Sequence, residues 1–442
     1  MSQDISIEGD LVTRVEGHGE VLVNATNGEL EECEWQVVES PRFFESMVVG
    51  RSWDETHHIV SRICAICSAT HTMTALKAIE DGLNIDVSRQ DRKLRKLVLA
   101  GETIQSHVLH LGYLALPDLA GKKSVIPMAD THEEEVKTVI RLHELGNDML
   151  RTFEGRASHG QRTIPGGFTQ IPDESELKEI ETALENSWDD VEAVVDLILS
   201  LAEQLPDFTR ETEFISLTHP DEYALYDGVP YSSDTGELDL DNYEDIVNEH
   251  VVEQSTAKFT KHNRKSYMVG ALARVNNNYD QLSPKAKEVA ESFGLEPVCH
   301  QPFMNNVAQL VETAHLIENS LDLIDELLEA GLEEQSDYHK PDVDVTAGRG
   351  IGATEAPRGI LFHDYTFDED GIAERGNCVI PTNQNHANIQ HDMEKMVPTM
   401  IDQPQDQIQH TLEMLVRAYD PCISCSTHYL DIEFVENENE GE

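Results

Sequence analysis

The sequence has few basic residues and no long apolar run, and each shortage excludes a class of protein. Lysine and arginine number 32 against 84 aspartates and glutamates, which gives a formal net charge of −52. The electrostatic field of so negative a protein repels polyanions, so nucleic acid and anionic membrane surfaces are not expected as partners at low salt. No apolar stretch approaches the length of a transmembrane helix.

Cysteines are also scarce, with seven in 442 residues. An odd number in a long chain does not indicate the disulfide framework of a small secreted protein. The N-terminal sequence, Met-Ser-Gln-Asp-Ile-Ser-Ile-Glu, has neither the basic start nor the apolar core of a signal peptide. A reducing cytoplasm is therefore the expected location, where thiols serve metals or catalysis.

The acidic side chains are spread along the whole chain, and only the extreme C-terminal tail is an acidic run. A spread excess is typical of a hydrated surface that stays soluble in concentrated salt, where screening removes the self-repulsion. We therefore favour a salt-adapted cytosolic protein over one with an acidic docking surface.

The hydrophobic patterns predict an α+β fold that is mainly α, with a body of long helices and peripheral sheets and hairpins. The expected helices cover residues 88–116, 133–153, 174–203, 284–293, 305–330 and 390–419. Short alternating runs within residues 4–39 predict an N-terminal sheet, and the glycine-rich stretch 348–382 predicts hairpins. No clean linker appears, so residues 1–428 are expected to form one domain, with an acidic, β-rich insertion at 210–258.

Two Cys-x-x-Cys pairs stand near opposite ends of the chain, Cys64 with Cys67 and Cys422 with Cys425, and each is closely followed by a histidine. Four thiolates form a site for a soft metal such as zinc, iron or nickel. Zinc-ribbon pairs lie roughly 15–20 residues apart, whereas most of this chain separates the two pairs. The spacing alone leaves a structural zinc, a redox metal and unrelated thiols as open alternatives.

Further motifs lie in order along the chain. They are Thr13-Arg-Val-Glu16-Gly-His-Gly19, Ser40-Pro-Arg-Phe-Phe-Glu45, Glu355-Ala-Pro357-Arg358-Gly and Asn377-Cys-Val-Ile-Pro381-Thr382. Together with the cysteine motifs, they resemble the large, catalytic subunit of a nickel–iron hydrogenase. The resemblance is closer to the soluble, multi-subunit type that is coupled to NAD(P) or is sulfhydrogenase-like, and it covers nearly the whole chain.

The resemblance implies a metal centre with four thiolate ligands. Cys64 and Cys422 would bind nickel terminally, while Cys67 and Cys425 would bridge nickel and iron. The iron would also carry carbonyl and two cyanide ligands, which the sequence does not supply. Soft sulfur suits this centre because it tolerates changes in the oxidation state of nickel.

The implied reaction is the reversible, heterolytic cleavage of H2. The proton would pass first to the sulfur of Cys422 and then to Glu16, since a carboxylate can both accept and release a proton. Without the resemblance, Glu16 is more simply a surface glutamate before a Gly-His-Gly turn.

The resemblance places a set of polar residues over the open side of the metals. Arg358 would be a fixed cation there, accompanied by Pro357, Asp118 and Asp420. Thr382, preceded by Pro381, would donate a hydrogen bond to a cyanide. A surface arginine in a glycine-rich loop and a helix-ending Pro-Asp are the plainer interpretations of Arg358 and Asp118.

Three more residues acquire roles from the resemblance. His71 would donate a hydrogen bond to a bridging sulfur and tune its basicity. Glu45 and His428 would share a magnesium ion near the active centre.

The sequence departs from the family pattern at Ala65, where glycine is usual. Alanine fits only if its φ is negative, and its methyl group is expected near the metal. The chain also continues past His428, and in this family a peptide beyond that histidine is removed by a dedicated endopeptidase. Residues 429–442 are therefore expected to be a cleaved propeptide.

The resemblance also implies partners, because too few thiols remain for an electron-transfer chain. An iron–sulfur small subunit is expected, with a flavin- and NAD(P)-binding subunit or another acceptor subunit beyond it. Three alternatives remain: a non-catalytic scaffold like the related subunit of respiratory complex I, an H2 sensor, and a structural zinc protein. The four retained cysteines argue against the scaffold.

Overall fold

The computed structural model describes residues 4–332 and 343–427. The strands are β1 (Ile5–Leu11), β2 (Gly19–Thr26), β3 (Glu29–Val37), β4 (Thr163–Ile164), β5 (Gly167–Phe168), β6 (Glu213–Thr218), β7 (Val229–Ser232), β8 (Gly236–Glu237), β9 (His250–Val252), β10 (Ser255–Phe259), β11 (Tyr267–Met268), β12 (Gly348–Ala356), β13 (Gly359–Phe367) and β14 (Ala373–Val379).

The helices are α1 (Phe44–Val48), α2 (Trp53–Val60), α3 (Ser68–Leu83), α4 (Arg89–Leu109), α5 (Leu116–Leu119), α6 (Val125–Met128), α7 (Glu133–Glu154), α8 (Glu174–Asn186), α9 (Trp188–Leu201), α10 (Tyr243–Val247), α11 (Ala271–Asn278), α12 (Pro284–Ser292), α13 (Asn305–Ala330), α14 (Pro381–Met396) and α15 (Gln405–Ala418). A π-helical turn, His110–Ala115, joins α4 to α5. Among the described helices, none is both long and apolar enough to cross a bilayer.

The N-terminal sheet is an antiparallel meander in the order β1-β2-β3. Alternate residues of β2 are buried, as the period of two in its sequence predicts. Trp35 of β3 is fully buried, and its indole N–H donates to Nδ1 of His386 on α14 over 2.9 Å. This contact ties the start of the chain to a helix near its end.

The helical body consists mainly of α3, α4, α7 and α13. Helix α13 is 26 residues long and is buried over most of its first half, which is why its sequence is apolar on more than one face. Helix α4 is capped by the residue before it, Ser88, whose hydroxyl accepts the backbone N–H of Asp91, as is common at an N-cap. These helices enclose the largest apolar core of the described chain.

The three-stranded antiparallel sheet β12-β13-β14 packs against α3. Glycines in β12 permit the close approach: a Cβ atom on Gly350 would lie 2.0 Å from the carbonyl oxygen of Ala78, and one on Gly352 would lie 2.3 Å from that of Thr74. Because α3 begins after Cys67 and β12 ends just before Arg358, this packing brings two candidate site segments together.

The mainly helical α+β architecture is confirmed, but two of the predicted helices are each divided in two. The expected helix at 174–203 is divided at Ser187 into α8 and α9, and the one at 390–419 is two helices, α14 and α15. Pro398 and Pro404 lie in the second interruption, where proline cannot continue a helix interior. The stretch 210–258 holds several short strands and the helix α10.

Candidate metal centre

The four predicted ligand cysteines converge from the two ends of the chain. Cys64 follows a short 3-10 turn and Cys67 directly precedes α3, so the first pair lies at a helix N-terminus. Cys422 comes shortly after α15, and Cys425 lies in the 3-10 turn Ser424–Ser426. Each pair is therefore presented by a tight turn beside a rigid helix.

The sulfur atoms form one compact, buried group. The Sγ atoms of Cys64 and Cys422 are 3.5 Å apart, those of Cys422 and Cys425 are 2.8 Å apart, and all four ligand atoms lie within 4.8 Å of one another. All four are free thiols, and each side chain is almost completely buried. Hydrogen bonding with Cys422 lowers the pKa of Cys64 well below its ordinary value, whereas hydrogen bonds with Cys425 and Cys64 raise that of Cys422.

This donor set fits a thiophilic metal and excludes magnesium or calcium as its ion, because those metals take oxygen ligands. Zinc–sulfur bonds are about 2.3 Å long, so sulfurs at these separations can surround one ion or share two. Cys33, Cys299 and Cys378 do not belong to the group. Burial raises the pKa of Cys33 to about 12, which is typical of an inert thiol in a core.

Arg358 is a buried cation beside the sulfurs. It lies at the turn between β12 and β13 and is 4% exposed. Its Nε donates to the carbonyl oxygen of Asp420 over 2.7 Å, and its Nη2 donates to Oδ1 of the same residue over 2.8 Å. Burial by itself would lower the pKa of Arg358, but the negative charge of Asp420 and, after it, electrostatic interactions with the Cys422 and Cys67 sulfurs raise it. The structure thus brings Arg358 and Asp420 to the cysteine group.

Asp420 and Thr382 shape the turn that carries Cys422. Asp420 has a φ of 50°, an uncommon conformation for a residue other than glycine. The backbone N–H of Cys422 donates to Oγ1 of Thr382 over 3.0 Å. Thr382 follows Pro381, the first residue of α14, where proline is favoured because its missing N–H is not needed. Helix α14 therefore fixes the second cysteine pair.

Glu16 contacts the same turn from the N-terminal segment. Its backbone carbonyl accepts the N–H of Ile423 over 2.9 Å, and its Oε2 accepts the N–H of Ser424 over 3.1 Å. The hydroxyl of Ser424 donates to its other carboxylate oxygen. The side chain is only partly buried, so it lies between the cysteine group and the surface.

The next residue, Gly17, makes that contact possible. Its φ is +89°, and a Cβ atom there would lie 2.7 Å from Cβ of Ile423 and 2.8 Å from N of Ser424. Glycine is required for both reasons, because other residues rarely adopt this φ and the space is already filled.

His71 is buried on α3, one turn after Cys67. Its Nδ1 lies 3.1 Å from Nε2 of His363, whose Nδ1 lies 2.6 Å from the hydroxyl of Tyr365. This row of side chains joins α3 to β13 and fixes the His71 ring. Neither His363 nor Tyr365 was predicted as part of the site, because the sequence of a strand does not reveal which helix will cover it.

Glu102 is another residue that sequence reasoning did not single out. It lies on α4, is 1% exposed, and accepts the backbone N–H groups of Ala69 and Thr70 over 2.6 and 2.8 Å. These groups belong to the first turn of α3, which lacks intrahelical acceptors for them. Burial raises the pKa of Glu102 to about 8. Glu102 thus anchors the helix that follows Cys67.

Asp118 is held by two arginines. Its carboxylate accepts from Nε and Nη2 of Arg417 over 2.6 and 3.1 Å and pairs with Arg14. These contacts give Asp118 a structural role between the N-terminal segment and α15, and its place over the metals stays a prediction.

Glu45 lies on α1 and is 4% exposed. It lines a cavity of about 610 Å³ together with Glu244, Glu249 and Lys258. His428, its predicted partner for magnesium, lies outside the described residues, as do residues 429–442. Ala65 has no positive φ, as expected, but it is exposed to solvent, so its methyl group is not packed within the thiol group.

Comparison with known proteins identifies the family. Residues 42–137 and 222–428 match the nickel-dependent hydrogenase family, and residues 6–40 match a HoxL-like model. The chain is 34% identical over 419 residues to sulfhydrogenase 1 subunit alpha of Pyrococcus furiosus, covering 95% of this chain and 97% of the relative. It is 27% identical over 465 residues to the NAD-reducing hydrogenase HoxS subunit beta of Cupriavidus necator, covering 95% and 94%.

The fold agrees with these sequence matches. A crystal structure of an NAD+-reducing [NiFe]-hydrogenase in the H2-reduced state superposes with a TM-score of 0.86 at 27% identity, covering 97% of this chain and all of that one. The chain therefore belongs to the nickel-dependent hydrogenase family and is a hydrogenase large subunit. The four clustered cysteines form a buried group of thiols that fits the nickel and iron of this family.

Proposed function

We propose that this subunit catalyses the reversible heterolytic cleavage of H2 at a nickel–iron centre held by Cys64, Cys67, Cys422 and Cys425. The observation that carries the proposal is the convergence of the two cysteine pairs to within 4.8 Å in a member of this family. Iron with carbonyl and cyanide ligands would complete the centre, with Cys67 and Cys425 as the bridging ligands. When bound, the metals would supply the redox and Lewis-acid chemistry that cleaves H2.

The protein's own contribution begins with proton transfer. The thiolate sulfur of Cys422 is the proposed first proton acceptor, and the carboxylate of Glu16 receives the proton from the resulting thiol. Support comes from the pairing of the Glu16 backbone with Cys422 and Ile423 and from the hydrogen bonds of its carboxylate to Ser424. These contacts hold one titratable group between the thiols and the solvent, which suits a relay.

Arg358 supplies a fixed positive charge on the buried side of the site. A guanidinium remains charged at any physiological pH, and two hydrogen bonds to Asp420 prevent it from turning away. Pro357 precedes it in the same turn, and Thr382 anchors the Cys422 backbone. We place these residues, with Pro381 and Asp118, around the diatomic ligands of the iron.

Two further roles concern the surroundings of the metals. We propose that His71, oriented by His363, donates to a bridging sulfur and lowers its basicity. Glu45 and His428 are the proposed protein ligands of a magnesium ion, since a carboxylate is the usual protein ligand for that metal.

Electrons leave through partner subunits. Within the described part of the chain, Cys33, Cys299 and Cys378 form no second metal-binding group, so an iron–sulfur small subunit would carry the electrons. A flavin- and NAD(P)-binding subunit, or another acceptor subunit, would receive them. The naming of the relatives as subunits alpha and beta of hydrogenases supports such an assembly.

We also propose that the protein works in the cytoplasm of a salt-adapted cell and is matured by an endopeptidase. The net charge of −52 supports the first proposal. Removal of residues 429–442 would be visible by mass spectrometry of the metal-loaded protein, and a metal-loaded chain that still ends at Glu442 would contradict it.

Infrared spectroscopy and elemental analysis of the purified complex test the central proposal. We expect nickel and iron in equal amounts in the large subunit, together with bands from metal-bound carbonyl and cyanide and H2-dependent reduction of a redox dye. A zinc protein gives no such bands. Zinc in place of nickel and iron, or an absence of the bands from fully loaded protein, would exclude the proposed chemistry.

A further inference from the structure

A buried ionic cluster lies directly beneath the Arg358 turn, and the proposed mechanism makes no use of it. Its centre is Arg274 of α11, and its carboxylates are Glu312 of α13 and Glu355 of β12, all with 0% exposed side chains. We propose that Arg274 is a positioning residue for Arg358, which it fixes by holding the backbone immediately before it. The inference rests on the proposed function, because it concerns how that function's fixed cation is aimed.

Arg274 uses all of its donors in this cluster. Its Nε and Nη2 donate to the two carboxylate oxygens of Glu312 over 2.6 and 2.7 Å, and its Nη1 donates to Oε2 of Glu355 over 2.9 Å. The two remaining N–H groups donate to the carbonyl oxygens of Ala356 over 2.8 Å and of Pro357 over 3.0 Å. A guanidinium has five N–H donors, so none is left over.

The two carbonyl contacts are the informative ones. Ala356 and Pro357 are consecutive, and Arg358 follows them, so Arg274 clamps the peptide that leads into the Arg358 side chain. Gly270, just before α11, reinforces this: its φ is +114°, and a Cβ atom there would lie 3.3 Å from the carbonyl oxygen of Arg358. The N-terminal end of α11 is therefore in contact with the turn on both sides of the proline–arginine peptide bond.

The anchor of the clamp is itself rigid. Glu312 also contacts Nε2 of His107 over 2.6 Å and accepts from the hydroxyl of Tyr223 over 2.6 Å. Burial by itself would raise the pKa of Glu312, but the charge and hydrogen bonds of Arg274 lower it. The carboxylate therefore stays charged, and the ion pair keeps its strength in a region from which water is excluded.

Helices α4 and α13, which carry His107 and Glu312, also support the side chain of Arg358. Ser106, next to His107 on α4, accepts from Nη1 of Arg358 over 3.2 Å. Gln309, one turn before Glu312 on α13, donates to Oδ2 of Asp420 over 3.0 Å, and Asp420 holds the Arg358 guanidinium. Helices α4 and α13 thus fix the backbone through Arg274 and the side chain through Asp420.

Lysine cannot replace Arg274 in this role. An ammonium group has three donors at one point, so it cannot reach two carboxylates and two successive carbonyl oxygens together. The Arg274→Lys variant keeps the charge and releases the turn. Arg95→Lys is a matched control, because Arg95 is equally buried and binds Glu80 and Tyr226 in a cluster away from the Arg358 turn.

The test uses the assembled, metal-loaded enzyme and compares both variants with the wild type. For Arg274→Lys we expect normal nickel and iron contents, shifted cyanide bands in the infrared spectrum, and a turnover at least tenfold lower. Both variants should lose thermal stability to a similar extent, but in Arg95→Lys the cyanide bands should stay unshifted. Unshifted bands in Arg274→Lys, or equal shifts in both variants, would overturn the inference.

A double variant shows whether Arg274 acts through Arg358. Once Arg358→Lys has removed the guanidinium, adding Arg274→Lys should shift the bands no further; an additive shift contradicts the proposal. If Arg274→Lys does not accumulate, Glu312→Gln weakens the anchor that holds Arg274 at nearly unchanged shape, with the same expected shift and the same contradicting result. Wild-type protein that lacks the bands altogether refutes the proposed function instead, so the two failures are distinguishable.

Discussion

The carboxylate of Glu16 accepts the backbone N–H of Ser424 over 3.1 Å, although 408 positions separate these residues in the chain. The contact joins the N-terminal segment to the turn that carries the second cysteine pair. It makes the position of the carboxylate depend on the same turn that positions Cys422 and Cys425. The position of the proposed proton acceptor is therefore tied to that of the second cysteine pair.

Replacing Glu16 by glutamine should impair proton transfer and leave metal binding intact. Glutamine keeps an oxygen that accepts from Ser424, but it does not titrate, so we expect H2 turnover to fall by about 100-fold or more. Nickel content and the infrared bands should stay unchanged. Glu20→Gln, on β2, is the control and should retain full turnover. Normal turnover in Glu16→Gln would remove Glu16 from the proton path.

Removing one cluster thiol should abolish metal binding. Cys64→Ala takes away a soft ligand and leaves a cavity, so elemental analysis should find almost no nickel in the purified subunit. Cys33→Ala removes an equally buried thiol outside the group and should keep the wild-type nickel content. Nickel retained at the wild-type level in Cys64→Ala would mean that the metal lies elsewhere.

Gly17→Ala should destabilise the protein more than the same change at a matched glycine. Gly236 has nearly the same φ, +87° against +89°, but an added methyl group there would have no described atom within 4 Å, whereas one on Gly17 would lie 2.7 Å from Ile423. We expect Gly236→Ala to cost about 1 kcal/mol through backbone strain and Gly17→Ala about 1–3 kcal/mol more through the clash. Urea unfolding measures both, and equal costs would contradict the contact.

Stability should fall on mild acidification because of buried histidines. Burial lowers the pKa of His315 from 6.5 to about 4, and its Nδ1 accepts the N–H of Ser283 over 3.1 Å. Between these two values the unfolded chain binds a proton that the folded chain does not, so stability is lost as the pH falls from 6.5 towards 4. From pH 7 to 5.5, this one group contributes a loss of about 1 kcal/mol.

The variant His315→Gln keeps an acceptor for the backbone N–H of Ser283 but has no imidazole to protonate. Its free energy of unfolding, measured with urea, should therefore fall less between pH 7 and pH 5.5 than that of the wild type. His410→Gln, at an exposed position of α15, serves as the control and should follow the wild type. An unchanged pH dependence in His315→Gln would show that this histidine is not the titrating group.

High salt should stabilise the protein. At a net charge of −52, self-repulsion is strong, and it is screened as the Debye length falls from about 10 Å at 0.1 M to about 3 Å at 1 M. We expect the unfolding temperature to rise by several degrees between about 0.1 M and about 2 M KCl. Sucrose, which does not screen charge, should raise it less at equal osmolarity. No rise with KCl would argue against salt adaptation.

The long helices were predictable where their hydrophobic period was uninterrupted. Helix α13 begins and ends where its pattern predicts, and α7 differs by one residue. The division at Ser187 and the gap between α14 and α15 were missed, because amphipathic periodicity continues across a short break. The cysteine pairs could be predicted as metal ligands because each pair is a local motif, and a role for Arg358 could be predicted because its motif resembles that of the family. Arg274, Glu102 and His363 were given no role, because their contacts lie between distant segments.

The candidate ligands could be predicted from the chain's own motifs: two Cys-x-x-Cys pairs, with short motifs around Glu16 and Arg358 that resemble those of the family. How these groups are held is visible only in the folded protein. The supports come from distant elements, such as Glu102 beneath α3 and Arg274 beneath the Arg358 turn. A buried charge is stable only where it is paired and hydrogen-bonded. Here the partners come from distant parts of the chain, so no local pattern of residues specifies these contacts.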